Sequence, residues 1–277
     1  MIVELLGAPG VGKTTLARTL SEYLKHRKIP IALWLSYRPA EGLPPAGIMF
    51  EVTRYVPNAI ARRIARPVFE TLKMASDTFG DSPDAAISEK LIHILKPTST
   101  LSSIRLRHYI RRLSYARRHA AQASGIMLFD QGFAQAVCSL IVVASDRSTW
   151  RIERALQETP SANLFIRLMA SDEVLIKRLH IRERRQSRIE RVLELDLDTN
   201  LRMARAVDTV YDALQRLGRP TISIETHDYS ALDRALPLLE RKITELYQKL
   251  QQNELDRATP GGSLSTTSLC GSSYGQR

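Results

Sequence analysis

The sequence predicts an α/β protein in which five parallel strands form one sheet flanked by helices. Three features lead to this prediction: five short apolar runs, helical patterns between them, and a glycine-rich loop between the first run and the first helix. The runs are mostly apolar rather than strictly alternating, which is typical of strands covered on both faces. Strands that alternate with helices favour a parallel sheet.

The elements follow from local patterns along the chain. The predicted strands cover residues 2–6, 31–35, 126–130, 163–168 and 221–225. The first helix, over residues 13–27, places Leu16, Leu20 and Leu24 on one face. Further helical patterns cover residues 172–183, 191–217 and 230–251, and the apolar run 136–144 is interpreted as a core helix.

The second and third strands lie too far apart for a simple crossover. Residues 49–124 are predicted to form several helices, broken near Pro67, residues 80–84 and residues 96–100, and to make a helical insertion between strands 2 and 3. Residues 254–277 are rich in Ser, Thr and Gly, so we expect a disordered tail there. The sequence therefore predicts one domain, residues 1–253, followed by this tail.

Composition narrows the classes of partner and compartment. The formal net charge of +11 over 277 residues favours anionic partners: nucleotides, nucleic acid or an acidic membrane surface. Cys138 and Cys270 form no disulfide framework and no metal-ligand spacing. No signal peptide is recognised, and no apolar run approaches the roughly 20 residues that span a bilayer. We therefore expect a soluble, cytoplasmic protein without a membrane partner.

The loop after the first strand carries the strongest motif. Gly7, Gly12, Lys13 and Thr14 fit the pattern G-x-x-x-x-G-K-[ST]. Its backbone N–H groups and the start of the next helix would bind phosphate oxygens, Lys13 would reach the β- and γ-phosphates, and the Thr14 hydroxyl would bind Mg²⁺. The predicted nucleotide-binding residues are Gly7, Ala8, Pro9, Gly10, Val11, Gly12, Lys13, Thr14 and Thr15.

Asp130 ends the third predicted strand. In open α/β sheets ligands bind at the carboxyl ends of the strands, so this carboxylate is predicted to hold Mg²⁺ or to orient the nucleophile. The alternative is a helix N-cap, a position that favours Asp.

Two basic segments follow different patterns. Arg178, Arg182 and Arg185 share one helical face within residues 177–191, which fits either a bound polyanion or a solvated basic face. Residues 104–119 are interpreted instead as a surface helix with a basic rim, because charged side chains are usually exposed.

With these motifs placed, the chain resembles the thymidylate kinase and deoxynucleoside kinase group of phosphate-loop kinases. Residues 163–190 are similar to the strand, helix and arginine-bearing lid of that group, and Arg178, Arg182 and Arg184 match its R-x-x-x-R-x-R spacing. Residues 210–228 look like its last helix, last strand and adenine-side loop. The group usually has Asp-Arg where this chain has Asp130-Gln131, and residues 36–47 match its acceptor loop only faintly.

The resemblance implies a P-loop NTPase, nucleotide-kinase-like fold with a lid over residues 178–190. It also implies phosphoryl transfer from ATP with Mg²⁺ to a small acceptor, such as a nucleoside or nucleoside monophosphate. Lys13, Asp130, Arg178, Arg182 and Arg185 are the predicted catalytic residues, and Thr14 and Asp130 the metal ligands. The alternatives are a regulatory or nucleic-acid-binding ATPase and a kinase for a sugar or antibiotic; a homodimer is compatible with the sequence.

Overall fold

The computed structural model describes residues 1–35, 83–122, 124–185 and 197–258. Five strands form one sheet in the order β2-β3-β1-β4-β5, and every neighbouring pair is parallel. The strands are β1 (Ile2–Leu6), β2 (Ile31–Trp34), β3 (Ile126–Phe129), β4 (Leu164–Met169) and β5 (Thr221–Glu225). The predicted five-stranded parallel sheet is confirmed, with ends shifted by at most one residue.

Helices cover both faces of the sheet. Within the described ranges they are α1 (Lys13–His26), α2 (Pro83–Leu95), α3 (Thr100–Gln122), α4 (Phe133–Val143), α5 (Thr149–Glu158), α6 (Asp172–Arg185), α7 (Leu197–Arg216) and α8 (Tyr229–Ala258). The core helix predicted over residues 136–144 is therefore part of α4, and all but one of the apolar side chains in α4 are fully buried.

The central strand β1 shows why the runs are apolar throughout. Its five residues are all buried, with Ile2 and Leu6 in the core beneath α2, α3, α4, α5 and α7. Val3 and Leu5 point to the opposite core, beneath α1, α6 and α8. Each such aliphatic side chain stabilises the fold by about 1.5–3 kcal/mol through burial. The exception to the apolar pattern in β1 is Glu4, which is buried as well.

The predicted helical insertion is confirmed where the structure describes it. Helices α2 and α3 lie between β2 and β3 in the chain, pack together, and are separated by residues 96–99, within the predicted break. The breaks at Pro67 and the start of the insertion lie among residues 36–82, outside the described ranges.

The last helix is longer than predicted. Helix α8 runs to Ala258, so residues 254–258 are helical and the tail cannot begin at residue 254. The Gln252 amide donates to Asp256 at 2.8 Å, an i,i+4 contact that supports this turn. Residues 259–277 lie outside the described ranges. Among the helices that are described, none has the length and apolar character needed to cross a bilayer.

Candidate nucleoside-triphosphate site

The glycine loop joins the central strand β1 to α1 at the carboxyl edge of the sheet. Gly12 precedes α1 with φ 106°, a left-handed conformation that side chains rarely adopt. Within the described residues no side chain caps this helix, and its first turn holds no acidic residue. The first backbone N–H groups of α1 are therefore left for an anion, as in phosphate sites at helix N-termini.

Lys13 lies inside the loop rather than in solvent, with only 6% of its surface exposed. Its ammonium donates to the carbonyl of Gly7 at 2.5 Å and to that of Ala8 at 3.0 Å. A buried ammonium costs free energy unless it is bonded, and these carbonyls supply that bonding. The cation is thus held beside the N–H groups that would bind a triphosphate.

Thr14 and Asp130 meet although they are far apart in sequence. β3 pairs directly with β1, so Asp130, which follows β3, reaches the start of α1. The Thr14 hydroxyl donates to Asp130 Oδ2 at 3.3 Å, and Asp130 is 1% exposed. The N-cap of α4 is Gly132, so Asp130 is not the helix cap of the alternative interpretation.

The side chains of Thr14 and Asp130 are suited to binding Mg²⁺. A hydroxyl and a carboxylate are oxygen ligands, and Mg²⁺ is usually held by one or two protein groups together with phosphates and water. Among the described residues no group of three or more His, Cys, Asp or Glu could hold a metal ion.

Two buried side chains that sequence reasoning missed hold the loop. Gln135 of α4 accepts the N–H of Gly7 at 3.1 Å through Oε1. The Thr226 hydroxyl, after β5, lies 3.0 Å from the carbonyl oxygens of both Val11 and Met169. Gln135 could have been noticed as a polar residue within an apolar helix, whereas Thr226 had no local signal.

Arg178 lies beside the same loop. Its guanidinium donates to the carbonyls of Val11 at 3.2 Å and Thr226 at 2.6 Å, and so joins α6 to the glycine loop and to the segment after β5. Its role toward phosphates stays a prediction. Arg182 and Arg185 belong to the last turns of α6, but their side chains, like residues 186–190 of the predicted lid, lie outside the described part.

A buried carboxylate supports the turn that carries Asp130. Glu4 of β1 accepts the Ala134 N–H at 3.2 Å through Oε2 and the Arg117 guanidinium at 3.4 Å through Oε1. Burial raises the pKa of Glu4, while Arg117 and the amides of α4 oppose the rise. The sequence signal was an acidic residue within a strand predicted to be covered on both faces.

Two uncharged side chains, Tyr109 and Gln131, lie on the side of Asp130 toward the insertion. Tyr109 of α3 donates its hydroxyl to Gln131 Oε1 at 3.1 Å. Burial, and then the neighbouring Asp130 charge, raise the pKa of the Tyr109 phenol well above its ordinary value, so it stays a neutral donor. Gln131, the residue after Asp130, is thus held by α3.

A cavity of about 190 Å³ lies behind the loop, lined in part by Ala8, Val11, Asp172 and Asp208. Its polar wall carries two carboxylates, and Asp208 is paired with Arg167 at 3.1 Å. Carboxylates repel phosphate groups. The N–H side of the loop, rather than this cavity, therefore suits a triphosphate.

Comparison with known proteins adds a likeness of fold. No family model matches the chain, and no curated protein sequence matches it. Among solved structures, a deoxyadenosine kinase from M. mycoides with bound dATP is similar, with a TM-score of 0.45 and 13% sequence identity, over 88% of this chain and 99% of that chain. The predicted five-stranded parallel sheet flanked by helices is confirmed by the strand order and the element order of the structure itself.

Proposed function

We propose that this protein is an ATP-dependent phosphotransferase that moves the γ-phosphoryl group of ATP to a small acceptor. The observation that carries the proposal is the meeting of Thr14 and Asp130, 3.3 Å apart, beside the buried ammonium of Lys13. A cation, a hydroxyl and a carboxylate around the N-terminus of a helix are the parts that phosphoryl transfer requires.

The donor half would use residues 7–15. Loop N–H groups would bind the β- and γ-phosphates, and Lys13 would turn its ammonium from the Gly7 and Ala8 carbonyls toward their oxygens. Mg²⁺, held by Thr14 and through water by Asp130, would supply charge neutralisation on the phosphate oxygens. Arg178, Arg182 and Arg185 would add positive charge from α6.

The reaction is a displacement at phosphorus. The attacking oxygen, a hydroxyl oxygen of a nucleoside or a phosphate oxygen of a nucleoside monophosphate, forms a bond to the γ-phosphorus, while the bond from that phosphorus to the β–γ bridging oxygen breaks. ADP leaves with the electron pair; a hydroxyl acceptor gives its proton to solvent or a nearby base, whereas an ionised phosphate oxygen has no proton to give. Because charge spreads over the transferred group, positioned cations beside it account for most of the acceleration.

The acceptor would bind on the β3 side of the loop, next to Asp130, where the helical insertion packs. A nucleoside or nucleoside monophosphate, as in thymidylate kinase-like proteins, is the acceptor class that the sequence resemblance implies. Tyr109 and Gln131 would face it with hydrogen-bonding groups. A sugar or an antibiotic acceptor is the alternative within the same reaction.

ADP formation measured over a panel of nucleosides, nucleoside monophosphates and sugars tests the proposal. We expect release of ADP that depends on one class of acceptor, and a loss of about 100-fold or more in Lys13→Ala, because that change removes a cation from the transferred group. Lys25→Ala, in the exposed last turn of the same helix, is the matched control and should keep full activity.

Two results would count against the proposed phosphotransferase activity. Lys13→Ala transferring phosphate at the wild-type rate would exclude this mechanism. ADP formation that no acceptor stimulates, but that single-stranded nucleic acid does, would instead support the regulatory ATPase alternative.

A further inference from the structure

The turn that carries Asp130 is built around the Glu4 carboxylate. This turn, residues 130–132, connects β3 to α4, and the amide of Ala134, in the first turn of α4, donates to Glu4 Oε2. A Cβ at Gly132 would overlap the carboxyl group of Glu4, so residue 132 must be glycine for the backbone to lie this close. Asp130 is thus two residues from a backbone seated directly on Glu4.

Glu4 is itself held in place by the sheet. It lies in the middle of the central strand, opposite Phe129 of β3 and Phe165 of β4, and is 2% exposed. α4 has Gly132 as its N-cap, with no side-chain cap of its own, so Glu4 supplies from β1 the acceptor that a local capping residue would supply. The carboxylate also lies at the positive end of the α4 dipole.

Helix α3 of the insertion fixes the same turn at two points. Arg117 donates to Glu4 Oε1 and also to the Ser161 carbonyl, which ties the carboxylate to the segment before β4. Tyr109, two helical turns earlier, donates to Gln131, the residue after Asp130. Through these contacts α3, Glu4 and the Asp130 turn form one hydrogen-bonded unit.

We infer that Glu4 is a positioning residue for the Mg²⁺ site: it holds the Asp130 turn where that carboxylate meets Thr14. The inference rests on the proposed function, which assigns the metal to Thr14 and Asp130. Partners behind the groups that hold a metal, directly or through water, commonly change metal affinity, because a metal site tolerates little displacement of those groups. Glu4 therefore acts on the metal through Asp130 and does not touch it.

The variant Glu4→Gln keeps the size of the side chain and changes its bonding. A carboxylate accepts on both oxygens, whereas an amide has one acceptor and one donor group. The amide nitrogen would then oppose either the Ala134 N–H or the Arg117 guanidinium. Either the contact from Ala134 or the contact that holds Glu4 itself is lost, so the support of the turn is weakened and we expect Asp130 to shift relative to Thr14.

Binding of a fluorescent ATP analogue, measured with and without Mg²⁺, tests the inference without turnover. In the wild type we expect Mg²⁺ to tighten binding. In Glu4→Gln we expect the Mg²⁺ concentration for half-maximal tightening to rise about tenfold, with Mg²⁺-free affinity unchanged. Glu153→Gln, which loses an ion pair with Arg216 between α5 and α7, is the control and should behave as wild type.

Gly132→Ala gives a second, independent variant, since it displaces the turn from the other side. It should raise the Mg²⁺ requirement in the same way, and it decides the matter if Glu4→Gln does not fold. If these variants show normal Mg²⁺ dependence and only a lower melting temperature, the inference is wrong and Glu4 only stabilises the fold. A wild type that Mg²⁺ does not tighten would also overturn the inference.

The two proposals can fail separately. A wild type that binds the analogue more tightly with Mg²⁺ but phosphorylates no acceptor would refute the kinase proposal alone. The Glu4 inference would then still be decided by the variants, because its readout is affinity and not turnover.

Discussion

At the scale of single residues, Thr226 shows how a small buried hydroxyl can join distant parts of the chain. It is fully buried after β5, with its hydroxyl within reach of the Val11 and Met169 carbonyls, and its own carbonyl accepts from Arg178. Thr226 thereby attaches the glycine loop to the β4–β5 side of the sheet, whereas Asp130 lies on the β3 side. Loss of this hydroxyl should loosen the loop without touching the phosphate-binding groups.

We expect Thr226→Val to lower the free energy of unfolding by about 1–3 kcal/mol, because a buried hydrogen bond is removed and its carbonyl acceptor remains. ATP affinity should fall as well, by about threefold to tenfold, or roughly 0.6–1.4 kcal/mol. Urea unfolding and ATP titration measure the two effects. Thr209→Val, which removes a hydroxyl bonded to the Arg205 carbonyl within α7, should leave ATP affinity unchanged. Equal affinity losses in both variants would contradict this role for Thr226.

At the scale of elements, local patterns predicted strands, helices and the glycine loop, whereas the supports of the site needed the fold. The loop was predictable because Gly7, Gly12, Lys13 and Thr14 lie within eight consecutive positions. Gln135 acts on Gly7 across 128 positions of sequence, and Thr226 acts on Val11 across 215. Such pairs are brought together only by strand order, which the apolar runs alone do not specify. The end of α8 was mispredicted because polar residues that favour helix were interpreted as a tail.

The uncapped start of α1 gives an element-scale prediction. Gly12→Ala places a side chain at φ 106°, which should lower the free energy of unfolding by about 1–3 kcal/mol. The added methyl group would also point into the open space where the phosphates would bind, so we expect nucleotide binding to be lost.

Gly218→Ala is the matched control for that variant. Gly218 also has a positive φ, 66°, and a Cβ there likewise meets nothing within 4 Å. It should therefore lose stability and keep nucleotide affinity. Thermal unfolding and ATP titration of both variants separate strain from binding, and the prediction is wrong if Gly12→Ala still binds ATP like the wild type.

At the scale of the whole molecule, the glycine loop lies at the carboxyl edge of the sheet with different groups on its two sides. β4 and β5 lead to Arg178 and Thr226, which hold the loop from one side, while β3 leads to Asp130 and the insertion on the other. The net charge of +11 suits an anionic ligand at this edge. A ligand that contacts the loop, α1 and the Asp130 turn together would bridge elements from both sides of the sheet, so its binding should stabilise the whole fold.

Thermal unfolding in the presence of nucleotides therefore tests the ligand class before any acceptor is known. A ligand that binds only the folded state at about 100 times its Kd adds about 2.7 kcal/mol of stability. For a domain of this size that corresponds to about 5–10 °C in Tm. We expect ATP with Mg²⁺ to give such a shift, ADP a smaller one and AMP almost none, because the loop binds the β- and γ-phosphates. Equal shifts with AMP and ATP would mean that the base or ribose, and not the phosphates, carries the binding, and would refute the assignment of residues 7–15 as the triphosphate site.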